Sequence, residues 1–315
     1  MNDDGETRRV GFELEFSGVN LEQTLKALSD VYPCKLLSRT DAEAKVELGD
    51  IGQFNIEIDW AYLKDKASEK GSKPTEEDWI TLLSQAATFL VPMEVVCPPI
   101  PVNKLDMLLP LVSSLKKAGA IGTDESLIAA YGVHINTEIP KLDAASLSAY
   151  IRAFCLLQWW LVDERGVNLA RRLSPYIDLY PENYIKQVLS YSDASMEQIF
   201  SDYLQFNPTR NRALDLLPLL ASIDETKVRS VVDDPRIKPR PAFHYRLPDC
   251  KIEQDNWSLS DAWDTWLVVE TLASNEDDLI TLGKEFLSSD RPILDVSRSQ
   301  WVERIKQWID EQELA

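Results

Sequence analysis

Glycine is scarce in this chain, 11 among 315 residues, and its scarcity removes a class of nucleotide-binding devices. Neither a Walker loop nor a Gly-x-Gly-x-x-Gly turn occurs, so no glycine-rich loop stands ready to wrap phosphates in backbone amides. Histidine is rarer, with His134 and His244 the only two. No Gly-x-Ser-x-Gly elbow is present, and both histidines fall in strand-like segments with charged neighbours, which argues against a Ser-His-Asp hydrolase. The four cysteines, Cys34, Cys97, Cys155 and Cys250, make no Cys-x-x-Cys pair, so neither a disulfide framework nor a zinc cluster is indicated. Positive charge is also short: 33 Lys and Arg against 52 Asp and Glu leave a net charge of -19. That balance argues against a nucleic-acid partner, because a phosphate backbone needs a positive footprint. It leaves room for a nucleotide in a pocket where metal ions and a few arginines offset the charge. No stretch approaches the roughly 18 consecutive apolar residues of a bilayer span. The polar start, Met1 to Arg9, carries no apolar signal core. The expectation is a cytoplasmic protein with reduced thiols and no membrane partner.

What the chain does have is five strand-like stretches with one apolar face and one polar face. In Val10-Gly11-Phe12-Glu13-Leu14-Glu15-Phe16 the apolar residues alternate with Glu13 and Glu15, which therefore share a face about 7 Å apart. The pattern returns in Phe54 to Trp60, where Asn55, Glu57 and Asp59 fall together. Met93-Glu94-Val95-Val96-Cys97 offers Glu94, Tyr131 to Asn136 offers His134 and Asn136, and Phe243 to Leu247 offers His244 and Arg246. One-sided antiparallel sheets give such alternation with no chemistry at all. Two features point further: Asp and Glu are poor strand formers, and neighbouring acidic strands repel unless something positive sits between them. A divalent cation is the simplest such partner.

Elsewhere the order of elements is legible. Leu21, Leu25 and Leu28 recur at helical spacing after Asn20, a candidate N-cap, and a hairpin is expected over 35–38 and 44–48. Residues 64–75 are charged and punctuated by Gly and Pro, which reads as an exposed flap. Helices are expected up to Leu90 and again through Leu105 to Leu115, with the proline-rich 97–101 stretch between them outside regular structure. From Leu142 onward helical periodicity dominates, at 147–162, 184–189, 196–204, 214–223, 261–272, 277–287 and 300–314. The tryptophans of this half fall on apolar stripes and are read as core. The strand at 243–247 stands alone there, so its partners are expected among the N-terminal strands. The whole is read as one α+β unit spanning 1–315, sheet-rich over 9–140 and helical over 141–315, with an antiparallel sheet whose acidic face is catalytic and whose other face carries helices.

These segments, in this order, resemble the amidoligase family, which belongs with the carboxylate-amine ligases of the glutamine synthetase and γ-glutamyl-cysteine ligase type. The stretches 171–184 and 207–218, with Asn207-Pro208-Thr209-Arg210-Asn211-Arg212, are similar to it as well, and the likeness covers about 9–275. It implies a glutamine synthetase-like catalytic fold, ATP with Mg²⁺ or Mn²⁺, and an amide or isopeptide bond formed through an acyl phosphate between a carboxylate and an amine, peptide or glutamate-like. On this resemblance Glu13, Glu15, Glu94, His134 and His244 are the metal candidates. His134, in Gly132-Val133-His134, also lies near the ATP phosphates, with Arg171, Arg210 and Arg212. Arg246, followed by Pro248 and Asp249, faces the transferred phosphoryl, and Glu57 and Asp59 hold the amine and take its proton. Two positions depart from the glutamine synthetase pattern: Glu57 lies two residues late, and His244 stands where a metal-binding glutamate is found. Phosphoryl transfer needs such groups, divalent ions and arginines, to neutralise the phosphate oxygens. A catalytically idle nucleotide- or peptide-binding relative and a metal-dependent hydrolase are the alternative readings.

Overall fold

The computed structural model describes residues 1–58, 92–124, 131–164, 177–289 and 296–312. The chain divides into two compact units. A sheet unit comprises Arg9–Ile135 and Asp249–Ala262, and a helical unit comprises Met1–Arg8, Asn136–Pro248 and Trp263–Ala315. Nine strands and nine α-helices are found among the described residues, an α+β composition.

In the sheet unit the strands are β1 (Arg9–Phe16), β2 (Cys34–Arg39), β3 (Glu43–Leu48), β4 (Gly52–Ile58), β5 (Met93–Val96), β6 (Ile100–Pro101) and the start of β7 (Val133–Thr137). They run side by side in the order β2-β3-β4-β5-β1-β7, with β6 paired to the beginning of β1. The pairings β2–β3, β3–β4, β4–β5, β1–β5 and β1–β6 are antiparallel. Alternation fixes the faces: Val10, Phe12, Leu14 and Phe16 are buried, as are Val46, Phe54, Ile56 and Val95, while Glu13, Glu15, Glu57 and Glu94 emerge half-buried on the other side. Burying each large apolar side chain contributes roughly 1.5–3 kcal/mol. A one-residue slip would turn that whole set outward, so the pattern pins the register.

Helix α1 (Leu21–Val31) packs on β3 and β4 through Leu21, Thr24, Ala27 and Leu28. Asn20 starts it with a full capping box: its side chain accepts from Gln23 N at 3.0 Å and Gln23 Oε1 accepts from Asn20 N at 3.0 Å. A 3-10 turn (Val102–Leu108) leads into α2 (Leu109–Ala118), whose Ser114 hydroxyl donates to Ala27 O on α1. The stretch at 97–101 does not stay irregular as expected. Ile100–Pro101 rejoins β1, and a proline is tolerated there because the pair is only two residues long at the end of a strand. The returning segment 249–262 is bound to the 122–124 turn by Thr123 N to Cys250 O at 2.7 Å and by Glu253, which accepts from Gly122 N at 3.0 Å and Asp124 N at 2.8 Å. A Cβ at position 122 would stand 2.2 Å from Cys250 O, so only glycine permits this approach.

The helical unit is built around α3 (Ala144–Glu164), with α4 (Glu182–Leu189), α5 (Met196–Phe206), α6 (Leu217–Arg229), the main part of α7 (Leu259–Ala273), α8 (Glu276–Ser288) and α9 (Arg298–Glu311). By length and mean hydropathy alone the span Ala144–Asp163 is apolar enough to cross a membrane, although Ser146, Ser148, Arg152 and Gln158 keep it from being a continuous apolar run. Since 67% of that window is buried inside the protein, it has the pattern of a core helix. Its face meets an aromatic cluster in which Phe154, Tyr180 and Tyr245 stand edge to face, and Gln158 holds both Tyr180 N (2.8 Å) and Tyr180 O (3.1 Å). The tryptophans are core, as expected: Trp266 is fully buried, and Trp301 donates its indole N–H to Leu156 O.

Here the strands are minimal. Leu214 and Asp215 form β8, and His244 and Tyr245 form β9, paired antiparallel with Leu214 opposite Tyr245 and Asp215 opposite His244. The expected helix over 214–223 therefore begins only at Leu217, and β9 takes a partner from the helical half as well as lying beside β7, where Phe243 N donates to Thr137 O at 2.9 Å. Helical periodicity could not separate a two-residue strand from the leucine-rich helix that follows it.

Candidate functional site

On the polar face of the sheet unit the register lines up carboxylates. Glu43 stands opposite Glu57, Glu57 opposite Glu94, and Glu94 opposite Glu15, a row across β3, β4, β5 and β1. Directly opposed side chains on neighbouring strands have Cβ atoms about 4.5–5.5 Å apart, and like charges there destabilise. At the β1 end the row meets His134 of β7. The His134 Nδ1–H donates to Glu13 Oε2 at 2.9 Å, while Nε2 lies 3.4 Å from Glu15 Oε1. The other oxygen of Glu15, Oε2, accepts from Gly132 N at 2.8 Å, which fixes the carboxylate plane.

Glu15, Glu94 and His134 offer one ligand atom each, all within 4.8 Å of one another. Ligands bound at about 2.0–2.2 Å to one ion lie up to about 4.4 Å apart, so the three atoms are spaced closely enough that they could hold one divalent ion after a modest closure. Two carboxylates and an imidazole suit a hard divalent ion, with the imidazole better tolerated by Mn²⁺. Glu13 on Nδ1 supplies the carboxylate that commonly orients a ligating histidine.

In the helical unit the chemistry is cationic. Asp215 is fully buried, and its Oδ1 accepts from Leu217 N at 2.9 Å. Its Oδ2 lies 3.7 Å from Arg246 Nη2 and 4.0 Å from His244 Nδ1. Arg246 Nη2 also stands 3.4 Å from His244 Nδ1, so the guanidinium donates and the ring accepts. Burial pushes the Asp215 carboxyl up to about 6, and the charges of Arg246, Arg210 and Arg240 hold it from rising further. The Arg210 guanidinium is held below its ordinary value, first by burial and then by Arg246 beside it. Arg240 Nη2 donates to Asn136 Oδ1 at 2.9 Å.

A family model described as "Putative amidoligase enzyme" matches residues 6–268. The chain belongs to that family. No curated protein matches it. The amidoligase match takes in both groups of side chains just described and ends before α8 and α9, whose Phe286 and Trp301 pack edge to face at 4.9 Å between centroids.

Set against the residues expected of an amidoligase, the sheet unit gathers Glu13, Glu15, Glu94 and His134, with Glu57 next along the row. Within the helical unit Arg210, His244 and Arg246 share the surroundings of Asp215. Arg212 is engaged elsewhere: it donates to Leu179 O at 2.9 Å and to Phe206 O at 3.1 Å. Asp59, Arg171 and the flap at 64–75 lie outside the described residues. Sequence reading missed Asp215 and Arg240. A lone carboxylate inside Ala213-Leu214-Asp215-Leu216-Leu217 was the available signal, because an acid among core leucines needs a charged partner. For Arg240 the signal was its bracketing by Pro239 and Pro241, which fixes the backbone on both sides. A surface cavity of about 630 Å³ lined by Leu267, Glu270, Thr271, Ser274 and Asn275 among others shares no residue with either group.

Proposed function

We propose that this amidoligase-family protein is an ATP- and divalent-metal-dependent carboxylate-amine ligase that forms an amide or isopeptide bond through an acyl phosphate, on a glutamine synthetase-like catalytic fold. The observation that carries the reading is the convergence of Glu15, Glu94 and His134, whose ligand atoms lie within 4.8 Å of one another, on a sheet face otherwise burdened by opposed carboxylates. Membership in the amidoligase family supports the ligase class.

Held by Glu15, Glu94 and His134, a divalent ion would supply the positive charge that phosphoryl transfer needs against its building negative charge. The chain's own residues do the rest. Glu13 orients the His134 ring through Nδ1, and the Gly132 amide holds Glu15 so that Oε1 faces the imidazole. Arg246 and Arg210 supply planar, permanently charged donors suited to the equatorial phosphoryl oxygens. Glu57, half-buried beside Glu94, is placed to attract a cationic amine and to accept its proton before attack. The four unpaired cysteines fit a cytoplasmic setting. Substrates are a carboxylate and an amine, glutamate-like or peptide.

The test is a thermal melt with ATP and Mg²⁺ or Mn²⁺ together and apart, followed by an ADP-release screen over amines and carboxylates. A ligand that binds the native state raises its melting temperature by mass action. We expect a rise with the pair and ADP release that depends on the amine. Equal melting temperatures at saturating concentrations would remove the nucleotide role, and ADP release indifferent to every amine would remove the ligase.

A further inference from the structure

We infer that β2, the outer strand of the sheet unit, is a docking strand for an extended acidic segment of a partner protein, which adds to the sheet beside it. The inference is independent of the ligase reading, since β2 carries none of the residues assigned to that chemistry.

The edge is open. β2 ends the sheet on one side with β3 as its neighbour, and all six of its residues, Cys34 to Arg39, are exposed. Gly49 N donates to Pro33 O and Thr40 N to Glu43 O, both at 2.8 Å, so Pro33 and Thr40 face β3 at the two ends of the strand. By the alternation of an antiparallel ladder Cys34, Leu36 and Arg39 then turn their N–H and C=O groups outward, with the bulge between Leu36 and Ser38 resetting the phase. No described residue pairs with that outer side. A row of such backbone groups is a template for another strand.

Apolar surface gathers at the same place. Of the eight large apolar side chains that stand exposed among the described residues, Val31, Leu36 and Leu37 fall within seven positions, and Leu36 is 52% exposed. Helix α1 lies over β3 and β4 and stops short of β2, so Leu36 lacks the cover that buries Val46 opposite it. Lysines and bulges commonly blunt an edge, and β2 has one of each. An edge guarded against every partner would not expose adjacent leucines, so these devices act here as a filter among partners.

Charge names the partner. The strand carries Lys35 and Arg39 and no carboxylate, in a chain whose net charge is -19. Lys35 Nζ lies 3.9 Å from Glu47 and Arg39 Nη2 lies 3.8 Å from Glu22, exposed pairs at the limit of contact that hold little energy. The two cations flank the leucines, so a strand with carboxylates at its ends and apolar residues between them meets all four side chains. A second copy does not. Antiparallel pairing of β2 with itself brings four cations to one seam and joins two strongly negative chains.

The experiment titrates the full chain with the fluorescein-labelled peptide Glu-Glu-Val-Val-Val-Val-Glu-Glu, read by anisotropy, beside two controls in which lysines replace the glutamates or prolines replace alternate valines. Wild type is expected to bind the acidic peptide, and the proline peptide, which lacks amides for a ladder, should bind roughly tenfold more weakly. Cys34 is the exposed one of the four cysteines and reads the strand directly: its reaction with a maleimide should slow several-fold under saturating acidic peptide. The lysine peptide, drawn to the carboxylate row instead, should not slow it. Leu36→Asp should weaken the acidic peptide at least roughly tenfold and leave the melting temperature unchanged, because the side chain is exposed and the new charge is like that of the peptide. Lys35→Glu combined with Arg39→Glu should weaken it as much. No binding of the acidic peptide by wild type, binding that Leu36→Asp leaves unmoved, or equal protection of Cys34 by the lysine peptide overturns the inference. A dimer seen by sedimentation that Leu36→Asp dissolves overturns it as well, by giving the edge to a second copy.

Discussion

The two units solve opposite electrostatic problems by different architectural means. In the sheet unit four long strands place Glu43, Glu57, Glu94 and Glu15 in one row, and the repulsion is spread along a face open enough for the outermost, Glu43, to be exposed. In the helical unit two strands of two residues each bring His244 and Asp215 opposite one another, and the arginines gather around a carboxylate with no exposure at all. The difference teaches that negative charge is here presented by repetition and positive charge by enclosure. A repeated row sets its negative charge by register; an enclosed cluster sets its positive charge by desolvation.

The most damaging way to break this comparison is to remove the inner carboxylates of the row. Glu15→Gln and Glu94→Gln should each abolish Mn²⁺ binding measured by electron paramagnetic resonance, and with it any metal-dependent turnover. Glu13→Gln, which loosens the His134 ring, should weaken the metal by roughly 10–100-fold. Glu43→Gln, in the same row but at its exposed end, should leave affinity unchanged. Glu15→Gln, Glu94→Gln and Glu43→Gln should each leave the apo fold intact or firmer by about 0.2–1 kcal/mol, since opposed like charges are relieved. Equal metal affinity in wild type, Glu15→Gln and Glu94→Gln would return the row to a merely solvated face.

Next in size is Arg246. A lysine carries the charge without the planar fork, so Arg246→Lys should lose nearly as much turnover as Arg246→Ala, on the order of 10²–10³ in kcat with a smaller change in KM. Steady-state kinetics on the amine found by the ADP screen would decide it. Full rescue by lysine would reduce Arg246 to a point charge.

How much of this was legible beforehand differs between the units for a physical reason. Strands of four to eight residues repeat their alternation often enough to declare a face, so Glu13, Glu15, Glu57 and Glu94 could be assigned to one side from sequence alone. Which of them stand opposite one another could not, because pairing depends on strand order, and β5 inserts between β4 and β1. The capped helix at Asn20 and the hairpin at 34–48 were legible for the same local reasons. A two-residue strand has no period. Leu214 and Asp215 therefore vanished into the helix that follows, and with them went the carboxylate that organises the arginines. His244 could be placed on a charged face but not matched to Asp215, which lies 29 positions earlier in the chain.

Desolvation of Asp215 makes a prediction of intermediate size. Its folded value of about 6 exceeds the ordinary 3.8, so between those values the folded protein holds a proton that the unfolded chain has released. Stability from this group is present in full below about pH 4 and is lost as pH rises through about 6, roughly 3 kcal/mol in all. Asp215→Asn cannot titrate. The difference in unfolding free energy between wild type and variant, followed by urea melts from pH 4 to 7, should therefore slope downward for wild type and level off above pH 6. A difference flat across that range would mean that the carboxyl is solvated, and enclosure would no longer distinguish the helical unit.

The smallest effect separates scaffold from site within the sheet unit. The Asn20 side chain and Gln23 exchange hydrogen bonds at the start of α1, satisfying amides that the helix leaves without partners. Asn20→Ala should cost about 1 kcal/mol, whereas Asn20→Asp, which keeps the acceptor and adds a negative charge at the positive end of the helix dipole, should cost little or nothing. Because α1 packs on the buried side of β3 and β4, opposite the carboxylate row, neither change should alter Mn²⁺ affinity once the protein is folded. Melting curves and metal titrations on the same samples read both quantities. If Asn20→Ala weakened the metal in proportion to the stability it lost, the row would be held in register by the helix behind it rather than by strand pairing, and the carboxylate face could no longer be treated as a product of alternation alone.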